Sequence, residues 1–202
     1  PEGADTAGLE RGLPAAPDAL RRFDCLILGA FPAELWTADE MRAVLDYVAA
    51  GGGLVWLGGE EAFEGGGYGA SALAPLIPWR LAGDGSTLVR EAAAVSIPPV
   101  AATDPAVAGL HDLLEERRRG GDAAQLVLAA FNAVGNLSPA ARVLLEVNRP
   151  RGRAPLLVAQ PYGRGRVFAL ASNTSWQWAG GAPTAATFYR RLWQQLARAA
   201  AG

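Results

Sequence analysis

The residues best suited to covalent chemistry in this chain are its single cysteine, Cys25, and its single histidine, His111. A histidine can accept the proton of a nearby thiol and so create a strong nucleophile. However, Cys25 lies in the apolar run Cys25–Gly29, which is typical of a strand, where a buried thiol is the ordinary state of cysteine. His111 belongs to a distant segment and adjoins Asp112. The sequence therefore favours a buried, unreactive Cys25 over a Cys25–His111 pair.

Three glutamates form a second group of candidates, because Glu60, Glu61 and Glu64 follow the apolar run 54–57. The glycines on both sides of that run indicate a short buried strand. Carboxylates beyond the carboxyl end of a parallel strand could bind a hard cation or act as acid and base. The favoured alternative is that Glu60 caps backbone amides while the others face water. One histidine and one cysteine are too few for a zinc site, so we predict no metal and no cofactor.

The composition excludes several classes of function. All 18 basic residues are arginine, so the chain has no lysine for a Schiff base or a phosphate-binding P-loop. A formal net charge of −2 provides no basic surface for nucleic acid. No apolar run approaches the roughly 20 residues of a membrane-spanning helix, so we expect no direct membrane insertion by this segment. The chain begins at Pro1 without a signal-like segment, and we expect it to be an excised part of a longer protein.

A strand–helix–strand unit is the clearest structural pattern in the sequence. The spacing of Thr37 and Glu40 is that of a capping box, which predicts a helix over 38–50. Strands at Cys25–Gly29 and Leu54–Gly58 should lie side by side and parallel, joined by a right-handed crossover. The helix should bury one apolar stripe against this sheet, formed by Met41, Val44, Leu45 and Val48.

Three further apolar runs, at 143–147, 156–160 and 166–171, are separated by turn residues. They predict an antiparallel β-meander, which a helix over 184–199 should follow. We therefore predict a single α/β domain over residues 1–202, with a partly parallel sheet, helices on both faces and a C-terminal meander. Its parts are a lead-in (1–22), a βαβ core (23–82), an irregular and helical insert (83–142), and the meander with the last helix (143–202).

Several motifs resemble one protein family over residues 10–199. They are FDCLILG at 23–29, the glycine-flanked strand at 51–59, GGY at 66–68, NLSPA at 136–140, QPYGRGRV at 160–167 and WQW at 176–178. Their order and spacing are similar to those of the glutamine amidotransferase-like domain of large bacterial membrane proteins. That family usually carries a further strand and helix before the strand at Phe23, and this sequence does not supply them.

The resemblance implies a class I amidotransferase-like, flavodoxin-like fold and a triad of cysteine, histidine and carboxylate. The cysteine would stand on the turn after strand 54–57, where this sequence reads Gly-Gly-Glu (58–60). The histidine would follow strand 166–171, where the sequence reads Ser-Asn-Thr (172–174). We therefore predict no catalytic residues of this kind and no glutamine hydrolysis by the usual route.

Two functions remain open. The absence of the triad favours a non-catalytic module that binds a ligand or partner within a larger, membrane-tethered bacterial protein. We expect its partners to be other domains of the parent chain or a separate protein, and a small polar ligand is also open. The alternative is a hydrolase of altered chemistry that uses Glu60 or Glu61 in place of the triad, which would require carboxylates with shifted pKa values in one pocket.

The crevice at the carboxyl ends of the parallel strands is the expected position of any site. Three segments should meet there: Ala30–Pro32, Gly58–Tyr68 and Asn173–Trp178. The alternative is that these loops pack only against each other, with Trp176 in the core. The predicted ligand- or partner-binding residues are Glu60, Tyr68, Asn173, Ser175 and Trp176.

Overall fold

The computed structural model describes residues 17–83, 85, 87–119 and 126–202. The helices within this part of the chain are α1 (Pro17–Leu20), α2 (Ala38–Ala49), α3 (Leu110–Arg119) and α4 (Pro183–Ala201). The strands are β1 (Cys25–Leu28), β2 (Gly53–Leu57), β3 (Leu88–Val89), β4 (Ala93–Ser96), β5 (Val127–Leu128), β6 (Phe131–Asn132), β7 (Arg142–Arg149), β8 (Gly152–Tyr162) and β9 (Gly165–Leu170).

A mixed, seven-stranded sheet organises the molecule, with the strand order β1-β2-β9-β8-β7-β4-β5. Strands β1, β2 and β9 run parallel to one another, and the remaining neighbours in this sheet are antiparallel. The predicted meander is present as β7, β8 and β9. Its last strand pairs with β2, so the meander and the βαβ unit share one sheet. Strands β3 and β6 form a separate antiparallel pair.

The strand–helix–strand prediction is confirmed. Cys25 lies opposite Gly53 and Leu28 opposite Trp56 in the parallel pairing of β1 with β2. The capping box at the start of α2 is also present, since the Thr37 hydroxyl accepts a hydrogen bond from the Glu40 amide at 3.2 Å. The Glu40 carboxylate accepts one from the Thr37 amide at 2.8 Å. These bonds satisfy backbone donors that the first helical turn would otherwise leave free.

The buried face of α2 differs from the prediction. Met41 and Leu45 are only half buried, so they lie beside the core rather than in it. The reason is the aromatic side chain of Tyr47, which is buried and whose hydroxyl donates to the Phe23 carbonyl at 2.9 Å. The helix is thereby rotated so that it buries Ala43, Val44, Tyr47 and Val48.

Apolar clusters cover both faces of the parallel part of the sheet, because successive side chains of a strand point to opposite faces. On one face Leu54 and Trp56 pack in the cluster that contains α2. On the other face Val55 packs in the cluster that contains α4. Helix α4 contributes a stripe at 3.6-residue spacing, namely Phe188, Leu192 and Leu196.

No helix in the described part of the chain combines the length and the apolar character that a membrane crossing needs.

Candidate functional site

The carboxyl ends of β1, β2 and β9 meet at one edge of the sheet. We call this surface the carboxyl edge and define it as residues 29–32, 58–61 and 171–176. The turns are in close contact, because a Cβ atom on Gly59 would lie 2.6 Å from Cβ of Ala30 and 2.9 Å from Nδ2 of Asn173. Gly59 also has a φ angle of +141°, which favours glycine. The three segments that the sequence places at one crevice are therefore brought together.

A segment from the insert crosses over this edge and was not predicted to be there. The backbone amide of Asn132 donates to the Ala171 carbonyl at 2.7 Å. The Ser172 hydroxyl donates to the Ala130 carbonyl, also at 2.7 Å. Asn132 is 1% exposed, and Phe131 beside it is fully buried. Residues 130–132 thus lie across the ends of β2 and β9 rather than in a separate insert.

The side chain of Asn132 binds the turn at which the amidotransferase resemblance would place a nucleophile. Its Oδ1 accepts a hydrogen bond from the Gly59 amide at 2.8 Å. Its Nδ2 donates to the Gly59 carbonyl, again at 2.8 Å. A weaker contact of 3.4 Å joins Nδ2 to the Thr87 hydroxyl. Both polar backbone groups of Gly59 are therefore satisfied by one buried carboxamide.

Gly58 is tightly enclosed by the same contacts. A Cβ atom at this position would overlap Oδ1 of Asn132 and would lie 2.5 Å from the backbone nitrogen of Ser172. Real Cβ atoms essentially never approach that closely, so any side chain at residue 58 would have to displace the Asn132 carboxamide or the backbone of Ala171 and Ser172, just after β9. The turn after β2 consequently requires glycine at residue 58 as long as Asn132 occupies this position.

Three of the predicted site residues reach the surface. Glu60 is exposed and forms an ion pair with Arg90, with 2.7 Å between Oε2 and Nη2. Asn173 is also exposed. Trp176 is 64% exposed and lies in the 3₁₀ turn Ser175–Gly180. The alternative that Trp176 lies in the core is therefore wrong, and the tryptophan of this turn that enters the core is Trp178.

The other two predicted site residues are buried. The Tyr68 ring is 1% exposed, its hydroxyl donates to the Phe31 carbonyl at 2.9 Å, and it accepts from Nε1 of Trp36 at 2.8 Å. Burial raises the pKa of the Tyr68 phenol, which the Trp36 hydrogen bond partly opposes. Ser175 is 4% exposed. Tyr68 and Ser175 therefore support the loops from below and present no side chain to a ligand at the surface.

Cys25 lies at the other end of the parallel strands from the carboxyl edge. It is at the amino end of β1 and opposite the amino end of β2. Its thiol donates a weak hydrogen bond to the Leu26 carbonyl at 3.4 Å. Burial raises the pKa of the Cys25 thiol, and the nearby Asp24 charge adds to this effect, so the thiolate is disfavoured. His111 lies in the first turn of α3. The described residues contain no group of three or more His, Cys, Asp or Glu side chains that could hold a metal ion.

The three glutamates after β2 have different surroundings. Glu60 and Glu61 are exposed, whereas Glu64 is 9% exposed and accepts a hydrogen bond from the Ala82 amide at 2.8 Å. The prediction that Glu64 faces water is therefore wrong. Its preceding residue, Phe63, has a φ angle of +54°, which is unusual for a bulky side chain and turns the chain inward at this point.

A comparison with known protein families matches residues 12–199 to a model described as "Putative glutamine amidotransferase". The chain belongs to this family. The family resemblance seen in the motifs is thereby confirmed over nearly the whole chain. A search of curated proteins finds no match.

Solved structures with the same fold include two cytoplasmic proteins of Salmonella typhimurium. STM3548 has 23% identity and a TM-score of 0.70, over 93% of this chain and 75% of that one. STM1381, from strain LT2, has 20% identity and a TM-score of 0.72, over 93% and 76%. A β-galactosidase from Rahnella sp. R3 has 14% identity and a TM-score of 0.52, over 89% of this chain and 23% of the enzyme. At these identities the likeness concerns the fold alone.

Two residues of the site in this family member, Asn132 and Arg90, were missed by sequence reasoning. Asn132 is separated by 73 residues from the glycine that it binds. It lies in the two-residue strand β6, which has no periodicity to mark its burial. The Gly58-Gly59 pair was the available signal, because adjacent glycines after a strand indicate close approach by another group.

Proposed function

We propose that this chain is a non-catalytic, flavodoxin-like module of the glutamine amidotransferase family that binds a protein partner through its carboxyl edge. The partner is another domain of a membrane-anchored bacterial parent protein or a separate protein. The observation that carries the proposal is the Asn132 carboxamide, which occupies the space above Gly58 and both polar backbone groups of Gly59.

This contact argues against acyl transfer at the turn after β2. Such chemistry needs a nucleophilic side chain and nearby backbone amides that are free to stabilise an oxyanion. Residues 58 and 59 have no side chain, and the Gly59 amide already donates to Asn132. The neighbouring Gly58 amide donates to the Leu170 carbonyl at 2.7 Å. Both donors are therefore committed to the fold.

The exposed residues of the carboxyl edge suit a protein interface better than an active site. Trp176 presents a large aromatic surface, and aromatic residues are enriched at the centres of interfaces. Glu60, Arg90 and Asn173 offer polar groups around it. In the Rahnella β-galactosidase the same fold forms part of a much longer chain. This precedent for the architecture supports a module, although it does not extend that enzyme's activity to this chain.

The alternative hydrolase, using Glu60 or Glu61, has less support. The Glu60 carboxylate is paired with Arg90, and both side chains are 67% exposed. General acids and bases work in closed surroundings, whereas these carboxylates face solvent.

Two measurements test the proposal. The first is ammonia release from glutamine and from a panel of carboxamides, for which we expect no turnover above the rate without protein. The second is oxidative footprinting of tryptophan in this domain alone and in the longer parent protein. Trp176 should be oxidised readily in the domain and protected in the parent, while buried Trp56 stays protected in both. Saturable turnover would refute the non-catalytic half of the proposal. Equal oxidation of Trp176 in both forms would refute a partner within the parent chain.

A further inference from the structure

A groove lies on the α2 side of the molecule, separate from the carboxyl edge. Binding of a ligand there would be a function additional to the one proposed above. Its volume is about 630 Å³, which is within the usual range for small-molecule sites. Three segments line it: residues of α2 between Ala38 and Leu45, residues of the segment 67–72, and Ala33, Glu34 and Trp36.

Part of the groove's lining is apolar. Met41 and Leu45 lie one helical turn apart on α2 and are half buried, which is the departure from prediction noted for this helix. The core-facing side of α2 is formed by other residues, and these two side chains pack at the border of that core while they also line the groove. Ala38, Ala70 and Ala72 add small apolar surfaces. An apolar side chain of a ligand would be desolvated there.

Both signs of charge line the same groove. Glu34 and Asp39 supply carboxylates, and Arg42 supplies a guanidinium. Within the part of the chain that the structure describes, the ion pairs involve other residues, and these three charges have none. Asp39 and Arg42 are three residues apart on the helix, which places their Cβ atoms about 5–6 Å from each other.

This combination selects a class of ligand. A purely anionic ligand would meet two carboxylates, and a purely cationic ligand would meet Arg42. A free dipeptide carries an ammonium and a carboxylate at opposite ends of about 7 Å of extended chain. We propose that the groove binds a short apolar peptide with free ends, such as a dipeptide. Its ammonium lies between Glu34 and Asp39, its carboxylate on Arg42 and its side chains on Met41 and Leu45.

The test is a titration of the folded domain with L-leucyl-L-leucine, followed by ¹H–¹⁵N NMR. We expect saturable shifts confined to the amides of 33–45 and 67–72, with a Kd below about 1 mM. Two blocked analogues separate the ends of the ligand. The C-terminal amide lacks the carboxylate, and the N-acetyl derivative lacks the ammonium. Each should bind about tenfold more weakly, because each loses one charge-assisted contact.

Matched variants connect these losses to the proposed residues. Arg42→Gln should weaken the free dipeptide about tenfold and leave the affinity of the C-terminal amide unchanged. Asp39→Asn should weaken the dipeptide and leave the N-acetyl derivative unchanged. Arg191→Gln, which changes an exposed arginine on α4, is the control and should have no effect. The proposal is overturned if no saturable shift occurs, if the shifts lie elsewhere, or if Arg42→Gln weakens both ligands equally.

Discussion

The carboxamide of Asn132 is hydrogen-bonded to both the amide and the carbonyl of Gly59, each at 2.8 Å, in the buried interior of the sheet edge. One side chain thus holds the turn after β2 and fills the position at which a residue-58 side chain would begin. The contact that stabilises this turn is therefore also the contact that leaves no room for a nucleophilic side chain at residue 58.

The first prediction concerns this contact. Asn132→Ala should lower the free energy of unfolding by about 2–4 kcal/mol, because it leaves two buried backbone groups of Gly59 without partners. Urea denaturation monitored by tryptophan fluorescence measures the loss. Asn148→Ala is the matched control, since Asn148 is an exposed strand asparagine, and it should change stability by less than about 0.5 kcal/mol. Equal small effects for both variants would show that the carboxamide does not hold the turn.

The fold was predictable where the evidence is local. The capping box at Thr37 and Glu40 and the glycine-flanked run 54–57 carry their own signals, and both are present in the structure. The meander was equally clear, because turn residues separate its apolar runs. That its last strand pairs with β2 could not be inferred from these patterns, since strand pairing depends on contacts distant in sequence.

The site was less predictable for the same reason. Trp176 and Trp178 are two residues apart, which would put them on opposite faces of a strand. The segment is instead a 3₁₀ turn, in which residues two apart also point in different directions. One of the two tryptophans is therefore buried and the other exposed, as would also be the case in a strand. Tyr68 gave no sign of its burial, because its hydrogen-bond partners Phe31 and Trp36 lie more than 30 residues earlier in the sequence.

The second prediction concerns α2. Leu45→Ala should destabilise the domain by only about 1 kcal/mol, because the side chain is only partly buried and borders the groove. Leu54→Ala, in the fully buried centre of β2, should cost about 2–5 kcal/mol. The two variants remove the same atoms, so the difference in their unfolding free energies reports burial. A loss for Leu45→Ala as large as that for Leu54→Ala would return Leu45 to the core and close the groove.

The third prediction concerns Cys25. Because burial raises its pKa, the thiol should react with iodoacetamide much more slowly in the native protein than in urea at neutral pH. The labelling rate of the native protein should continue to rise with pH beyond the unfolded thiol's pKa of about 8.5, where the rate for the unfolded chain levels off. Labelling of the native protein as fast as that of the unfolded chain would show that the thiol is accessible and ionised.

The raised pKa of Cys25 also makes the stability of the fold depend on pH. The folded state holds the Cys25 proton more tightly than the unfolded state, so its contribution is present below the unfolded pKa. That contribution is lost as the pH rises from about 8.5 towards the higher folded pKa. Cys25→Ala removes the titration. The wild-type protein should therefore lose stability relative to this variant across that window, and parallel pH profiles would contradict the assignment.

The last prediction separates a binding surface from a structural one at Trp176. Trp176→Ala should change the free energy of unfolding by less than about 0.5 kcal/mol, because the indole is largely in solvent. Trp178→Ala should cost about 3–5 kcal/mol, since that ring is 4% exposed, donates to the Val127 carbonyl at 2.7 Å and packs edge-on against Phe188.

Association with the rest of the parent protein should show the opposite order. Among variants that fold, Trp176→Ala should weaken this association more than Trp178→Ala does. Truncation of an aromatic anchor at the centre of an interface typically costs about 2 kcal/mol or more, which is about thirtyfold in affinity. Isothermal titration of the domain with the remainder of the parent measures it. If Trp176→Ala leaves that affinity unchanged, Trp176 is not the anchor of an interface within the parent protein. If it destabilises the isolated domain as much as Trp178→Ala does, Trp176 is part of the core.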